Sequence, residues 1–225
     1  MAVLTWICSR RKAHRVAAVV AMMESGARQT GIVGGNEVAS VDEVNFLVRV
    51  ALPWFTCGGV LVAPQFVLTA AHCLADASGV HEARYVTVRA LCTPNASACQ
   101  GWQQVVLVSH VSVHPLFVSD TFMLDGHDLA VLHLERPLVL HSRSVLSHPR
   151  SIERFASDRD AGVAHNQMQQ VAGWGVTAWP VLHGTTTTAW PHIASVPLVE
   201  RVNCETMLGG ALHNPHFQLH DTFVC

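Results

Sequence analysis

Charge is scarce in this chain: only 13% of its 225 residues are Asp, Glu, Lys or Arg, and Lys12 is the sole lysine. With a formal net charge of −2 and a pI near 6.7, there is no basic stripe outside residues 10–15. Nucleic acid is therefore not an expected partner, and neither is a charge-steered one. Long hydrophobic runs are missing as well. None reaches the about 18 apolar residues of a spanning helix, so no membrane contact is expected beyond a signal anchor near the N-terminus. No segment keeps a helical period for three turns, and there are no internal repeats, which argues against a helical fold. What the chain has instead is apolar material. Half of it is hydrophobic, enough for one large domain or two small barrels sharing an interface, and far from a disordered composition.

That apolar content comes in short β-rich runs broken by Gly, Pro and Asp: Phe46 to Val50, Gly59 to Ala63, Phe66 to Thr69, Tyr85 to Ala90, Val105 to Val108, Leu129 to Leu134 and Gln170 to Trp174. Runs of this length and spacing predict an all-β barrel or sandwich. Residues 136–169, polar and carrying Pro137 and Pro149, read as a long connection between two halves. The predicted organisation is a leader over 1–31, a first barrel over 32–135, the connection, and a partial second barrel over 170–225.

The leader reading rests on order. Arg10, Arg11, Lys12 and Arg15 precede the apolar run Val16 to Met23, and the small residues Ser25, Gly26 and Ala27 follow, as in a secretory signal or signal anchor. The alternative is that residues 1–15 do not belong to the natural protein. Seven cysteines, six of them after residue 50, suit an oxidising compartment. The sequon Asn95-Ala96-Ser97, between Cys92 and Cys99, lies in what reads as an exposed loop and fits a secreted glycoprotein. Fifteen histidines include His213, His216 and His220, a spacing able to hold zinc or copper. They are read as solvated loop residues, and no metal or cofactor is expected.

Two strings carry chemistry. Thr69-Ala70-Ala71-His72-Cys73, preceded by Cys57-Gly58-Gly59, and His127-Asp128-Leu129-Ala130-Val131-Leu132 resemble the histidine and aspartate segments of chymotrypsin/trypsin-like serine proteases (peptidase S1). The resemblance extends to Ile32-Val33-Gly34-Gly35, similar to that family's mature N-terminus, and to Gly173-Trp174-Gly175, similar to the opening of its second barrel. It implies a double six-stranded antiparallel Greek-key β-barrel, with the second barrel incomplete here. It implies His72 as general base and Asp128 as the carboxylate that orients it; Asp125 is the nearby rival. It also implies disulfides Cys57–Cys73 and Cys204–Cys225, and Cys92 and Cys99 are spaced as a further plausible pair. The first would clamp the His72 turn and contribute about 3 kcal/mol in the chain-entropy model.

The chain departs from the family pattern in two places. Gly31 stands where tryptic activation needs Arg or Lys before Ile32, and a cut after Arg28, the nearest basic residue, would leave Gln29-Thr30-Gly31 attached. None of the serines lies in a Gly-x-Ser-Gly or similar strained-turn setting, so the nucleophile segment is missing from residues 1–225. The expectation is a secreted serine endopeptidase acting on protein or peptide substrates, seen as an incomplete chain that is inactive as it stands. The alternative is a non-catalytic homologue that binds a protease, an inhibitor or another protein.

Overall fold

The computed structural model describes residues 3–8, 16–21, 32, 35–41, 44–91, 103–139, 168–175, 190–197, 199–211, 213–214 and 216–218. In chain order the elements are β1 (Val3–Cys8), β2 (Val16–Ala21), β3 (Asn36–Glu37), β4 (Leu47–Ala51), β5 (Thr56–Ala63), β6 (Phe66–Thr69), β7 (Ala75–Asp76), β8 (Gly79–Val80), β9 (Thr87–Leu91), β10 (Gln103–Val113), α1 (Phe122–Asp125), β11 (Ala130–Leu134), β12 (Met168–Gly173), β13 (His192–Pro197) and α2 (Arg201–Ala211).

Six of these close into an antiparallel barrel. β4, β5 and β6 pair in succession, β6 pairs with β11, β11 with β10, β10 with β9, and β9 returns to lie beside β4. A fourth strand beside the first is the Greek-key arrangement, and closure leaves no strand edge open to other chains. The side-chain alternation that predicted these strands is visible in β10 and β11. Val106 and Val108 are buried while Val105 and Leu107 are exposed, and Ala130, Leu132 and Leu134 all point inward. With Val48, Val50, Leu61, Val67 and Val88 they form one continuous core. Each fully buried Val or Leu contributes about 1.5–3 kcal/mol over its exposed state.

The barrel interior is tight at Gly59, where an added Cβ would lie 2.8 Å from Val67 Cγ1, 3.1 Å from Val50 Cγ2 and 3.2 Å from Val48 Cγ2. Those neighbours are fully buried branched side chains with no room to retreat. Gly59→Ala is therefore expected to cost about 1–3 kcal/mol through overpacking. Urea denaturation should show a lowered midpoint with an unchanged slope.

The second half is an open five-stranded sheet in the order β2-β1-β12-β13-β3. β12 and β13 run antiparallel from Met168↔Pro197 to Gly173↔His192, and β3 adds two pairs at β13. So β3, assigned above to the first barrel, belongs to the second sheet, and the closed barrel begins only at Leu47. A two-residue strand is too short to show alternation, and its partner lies far along the chain. Residues 38–41 and 44–47 instead form the seam between the halves. Val38, Val41, Val44, Leu47, Leu91 and Trp174 make a second apolar cluster, pinned where Trp190 Nε1 donates to the Val38 carbonyl at 2.8 Å.

Val3–Cys8 and Val16–Ala21, parts of the segment read as a leader, form an antiparallel hairpin whose first strand pairs with β12 through Trp6↔Ala172 and Ile7↔Val171. A short apolar run fits a strand as well as a signal's hydrophobic stretch, so periodicity alone could not separate the two. α2 was also not foreseen. Its buried residues are Cys204 and Gly209, whereas Val202 and Met207 face outward, so no apolar stripe marks it. Among the described residues, no helix is long and apolar enough to cross a membrane.

Candidate active site

The antiparallel register of two barrel strands builds the site. β11 pairs with β6 from Ala130↔Thr69 to His133↔Phe66, so the residues just before Ala130 lie beside those just after Thr69. Thr69 is fixed by its hydroxyl, which donates to the Gly58 carbonyl of β5 at 2.8 Å. The chain then leaves β6 through a single 3₁₀ turn, Ala71–Cys73. Ala70, Ala71, Cys73 and Leu74 are wholly buried, which seats the turn against the barrel, and a disulfide ties Cys73 back to Cys57 of β5. His72 is the residue this turn leaves partly open.

Asp128 arrives from the other side. α1 ends at Gly126, whose φ of 71° glycine adopts without strain. His127 follows at φ 62°, left-handed again, a region where non-glycine residues are uncommon. The Leu129 amide then donates to the His127 carbonyl at 2.8 Å, and the His114 amide donates to the Leu129 carbonyl at 2.9 Å. Asp128 sits at the apex of that turn.

The two side chains meet. The His72 amide donates to Asp128 Oδ1 at 2.9 Å, and Nδ1 of its ring lies 2.6 Å from Oδ2. The Asp128 side chain is 3% exposed and that of His72 14%. A buried carboxylate needs donors, and here the backbone and the ring supply one to each oxygen. An ionised carboxylate can only accept, so in the neutral imidazole Nδ1 carries the proton and the lone pair is on Nε2. The imidazole is thereby held in one orientation by the buried carboxylate. Asp125, the rival carboxylate, is exposed on α1, and it is Asp128 that bonds His72.

Two neighbours shape the His72 ring. Cys73 Sγ lies 3.4 Å from Nε2, and the Phe122 ring stacks at 5.1 Å between centroids and 18° between planes. Phe122, on α1, escaped sequence reasoning because nothing in its local pattern marks it. The ligand-type atoms of Cys57, His72 and Cys73 gather within 4.8 Å, but both sulfurs are consumed by the disulfide. The cluster therefore offers no thiolate to a metal.

The trypsin family model matches residues 32–225. The chain belongs to the trypsin family of serine proteases. Among its relatives, chymotrypsin from Phaedon cochleariae is 35% identical over 151 residues, covering 65% of this chain and 49% of the relative. Serine protease 56 from Mus musculus is 31% identical over 187 residues, 82% of this chain and 27% of the relative. Mast cell protease 3 from Ovis aries is 30% identical over 161 residues, 70% and 56% of the two. The chain thus spans about half or less of the length of these trypsin-family relatives.

The Ile32 side chain is buried, in contact with Gly35, where an added Cβ would stand 2.6 Å from Ile32 Cγ2. Cys204 is disulfide-bonded. Cys92, Asn95, Cys99, His220 and Cys225 lie outside the described residues, and His213 and His216 are exposed near the end of α2.

Proposed function

We propose that this chain carries the base-bearing half of a secreted serine endopeptidase that cleaves protein or peptide substrates by Ser-His-Asp acyl transfer. One observation carries the reading: His72 Nδ1 is bonded at 2.6 Å to the buried Asp128 carboxylate, with Nε2 left able to accept a proton. In the reaction, Nε2 takes the proton of a serine hydroxyl as it attacks the scissile carbonyl, then returns it to the leaving amine. Asp128 holds the ring in the required tautomer and stabilises the imidazolium between the two transfers. The serine is not among residues 1–225 in a recognisable setting, so a polypeptide of these residues alone is proposed to be inactive. Removal of the nucleophile typically costs on the order of 10⁶ in rate.

The same reading includes Ile32 as the mature N-terminus of a zymogen, Cys92–Cys99 and Cys204–Cys225 as further disulfides, Asn95 as a glycosylation site, and no metal or cofactor. With Gly31 before Ile32, the activating cut is one that tolerates glycine. Where the gene product supplies no serine segment, the fold becomes a non-catalytic homologue that binds a protease, an inhibitor or another protein. A fluorophosphonate probe distinguishes the cases. The natural gene product, with whatever follows Cys225, is expected to be labelled at a serine, and His72→Ala should abolish the label. A folded product that carries the serine segment yet resists labelling would refute the enzyme reading.

A further inference from the structure

The carboxylate bonded to His72 follows a residue whose left-handed backbone is uncommon outside glycine. His127, immediately before Asp128, has φ 62°, and its ring lies flat on that of His114, with centroids 4.8 Å apart and planes within 10°. His114 touches the Asp128 turn a second time through its backbone: its amide donates to the Leu129 carbonyl, and the Leu129 amide donates to the His127 carbonyl. Its ring is in turn fixed from the far side, because the Leu116 amide donates to His114 Nδ1 at 3.2 Å. Asp128 is thereby bracketed between two residues that His114 holds, His127 by the stack of its ring and Leu129 by its backbone amide. Left-handed φ is disfavoured for a residue with a Cβ, so losing a contact that holds the ring shifts residue 127 toward negative φ. Turning that one peptide redirects the Asp128 side chain, and a carboxylate that must meet both the amide and the ring of His72 tolerates little rotation.

We propose that the His114–His127 stack is a positioning device for Asp128: it holds the left-handed backbone at residue 127 so that the carboxylate faces His72. Both rings act through Asp128. This role rests on the proposed reading of His72 and Asp128 as base and orienting carboxylate. Its test measures the bond between them directly, so a catalytically silent protein would not obscure the answer.

The probe is the His72 Nδ1–H proton, followed by NMR in the full chain with ¹⁵N-labelled histidine. His114→Ala, which removes the stack, is expected to broaden or abolish that resonance, and His127→Ala likewise. His114→Phe keeps a flat ring over His127 and should retain the signal. His127→Gly should also retain it, because glycine takes the left-handed conformation without support. The double variant His114→Ala/His127→Gly should recover what His114→Ala alone loses. An unchanged resonance in His114→Ala overturns the proposal. So does a His127→Gly chain that is folded by near-ultraviolet circular dichroism yet has lost the signal, since backbone freedom would then not be what residue 127 supplies.

Discussion

Asp128→Asn, made in a gene product that carries the nucleophile, is expected to lower kcat on the order of 10⁴-fold while leaving KM nearly unchanged. That magnitude is the one established for the same exchange in a serine-protease triad; the structure of this chain supplies the reason to expect it here. Oδ2 lies 2.6 Å from His72 Nδ1 and Oδ1 accepts the His72 amide. An asparagine of the same shape can keep one of these bonds. With its carbonyl on the amide, its NH₂ must face Nδ1, which forces the ring proton onto Nε2 and removes the lone pair that would receive the serine proton. The charge that stabilises the imidazolium is lost at the same time. The exchange acts on the ring tautomer and its charge, so the effect is expected in kcat. A loss below tenfold in steady-state peptide hydrolysis would mean that Asp128 does not orient the base.

The second large effect is on stability. Replacing Cys57 and Cys73 together by alanine opens the bridge between β5 and the His72 turn, with an expected cost of about 3 kcal/mol from the restored freedom of the unfolded loop. The turn itself has other anchors. Thr69 Oγ1 still bonds the Gly58 carbonyl, and Ala70, Ala71 and Leu74 remain in the core. Activity at low temperature should therefore fall much less than stability. Urea melts of the oxidised protein, the reduced protein and the double variant provide the check. Because reductant also opens the Cys204 disulfide, the reduced protein should melt below the double variant, and the double variant below the oxidised parent. A double variant as stable as the oxidised parent would mean that the bridge constrains nothing.

How far the sequence could be read depended on how locally each feature is determined. β6 was located to the residue, Phe66–Thr69, because it is short, apolar and bounded by a turn and the Ala-Ala-His-Cys string. β10 was seen only in its first half, since past Val108 a register shift before His110 breaks the alternation. β13 was missed. Most of its side chains are only partly buried on either face, which leaves no two-residue period to detect. α2 was missed for the opposite reason, its outward Val202 and Met207 hiding the helical face. His72 and Asp128 were legible because each sits in a distinctive string. Phe122, His114 and His127 were not, because their contacts depend on how α1 and the end of β10 approach Asp128 in space.

The most direct test is the tautomer of His72 at neutral pH, read from long-range ¹H–¹⁵N NMR correlations of its ring. A proton on Nδ1, bonded to Asp128, with Nε2 bare is the predicted result. A proton on Nε2, or an Nδ1 signal that Asp128→Asn leaves unchanged, would contradict the assignment of His72 as an oriented base.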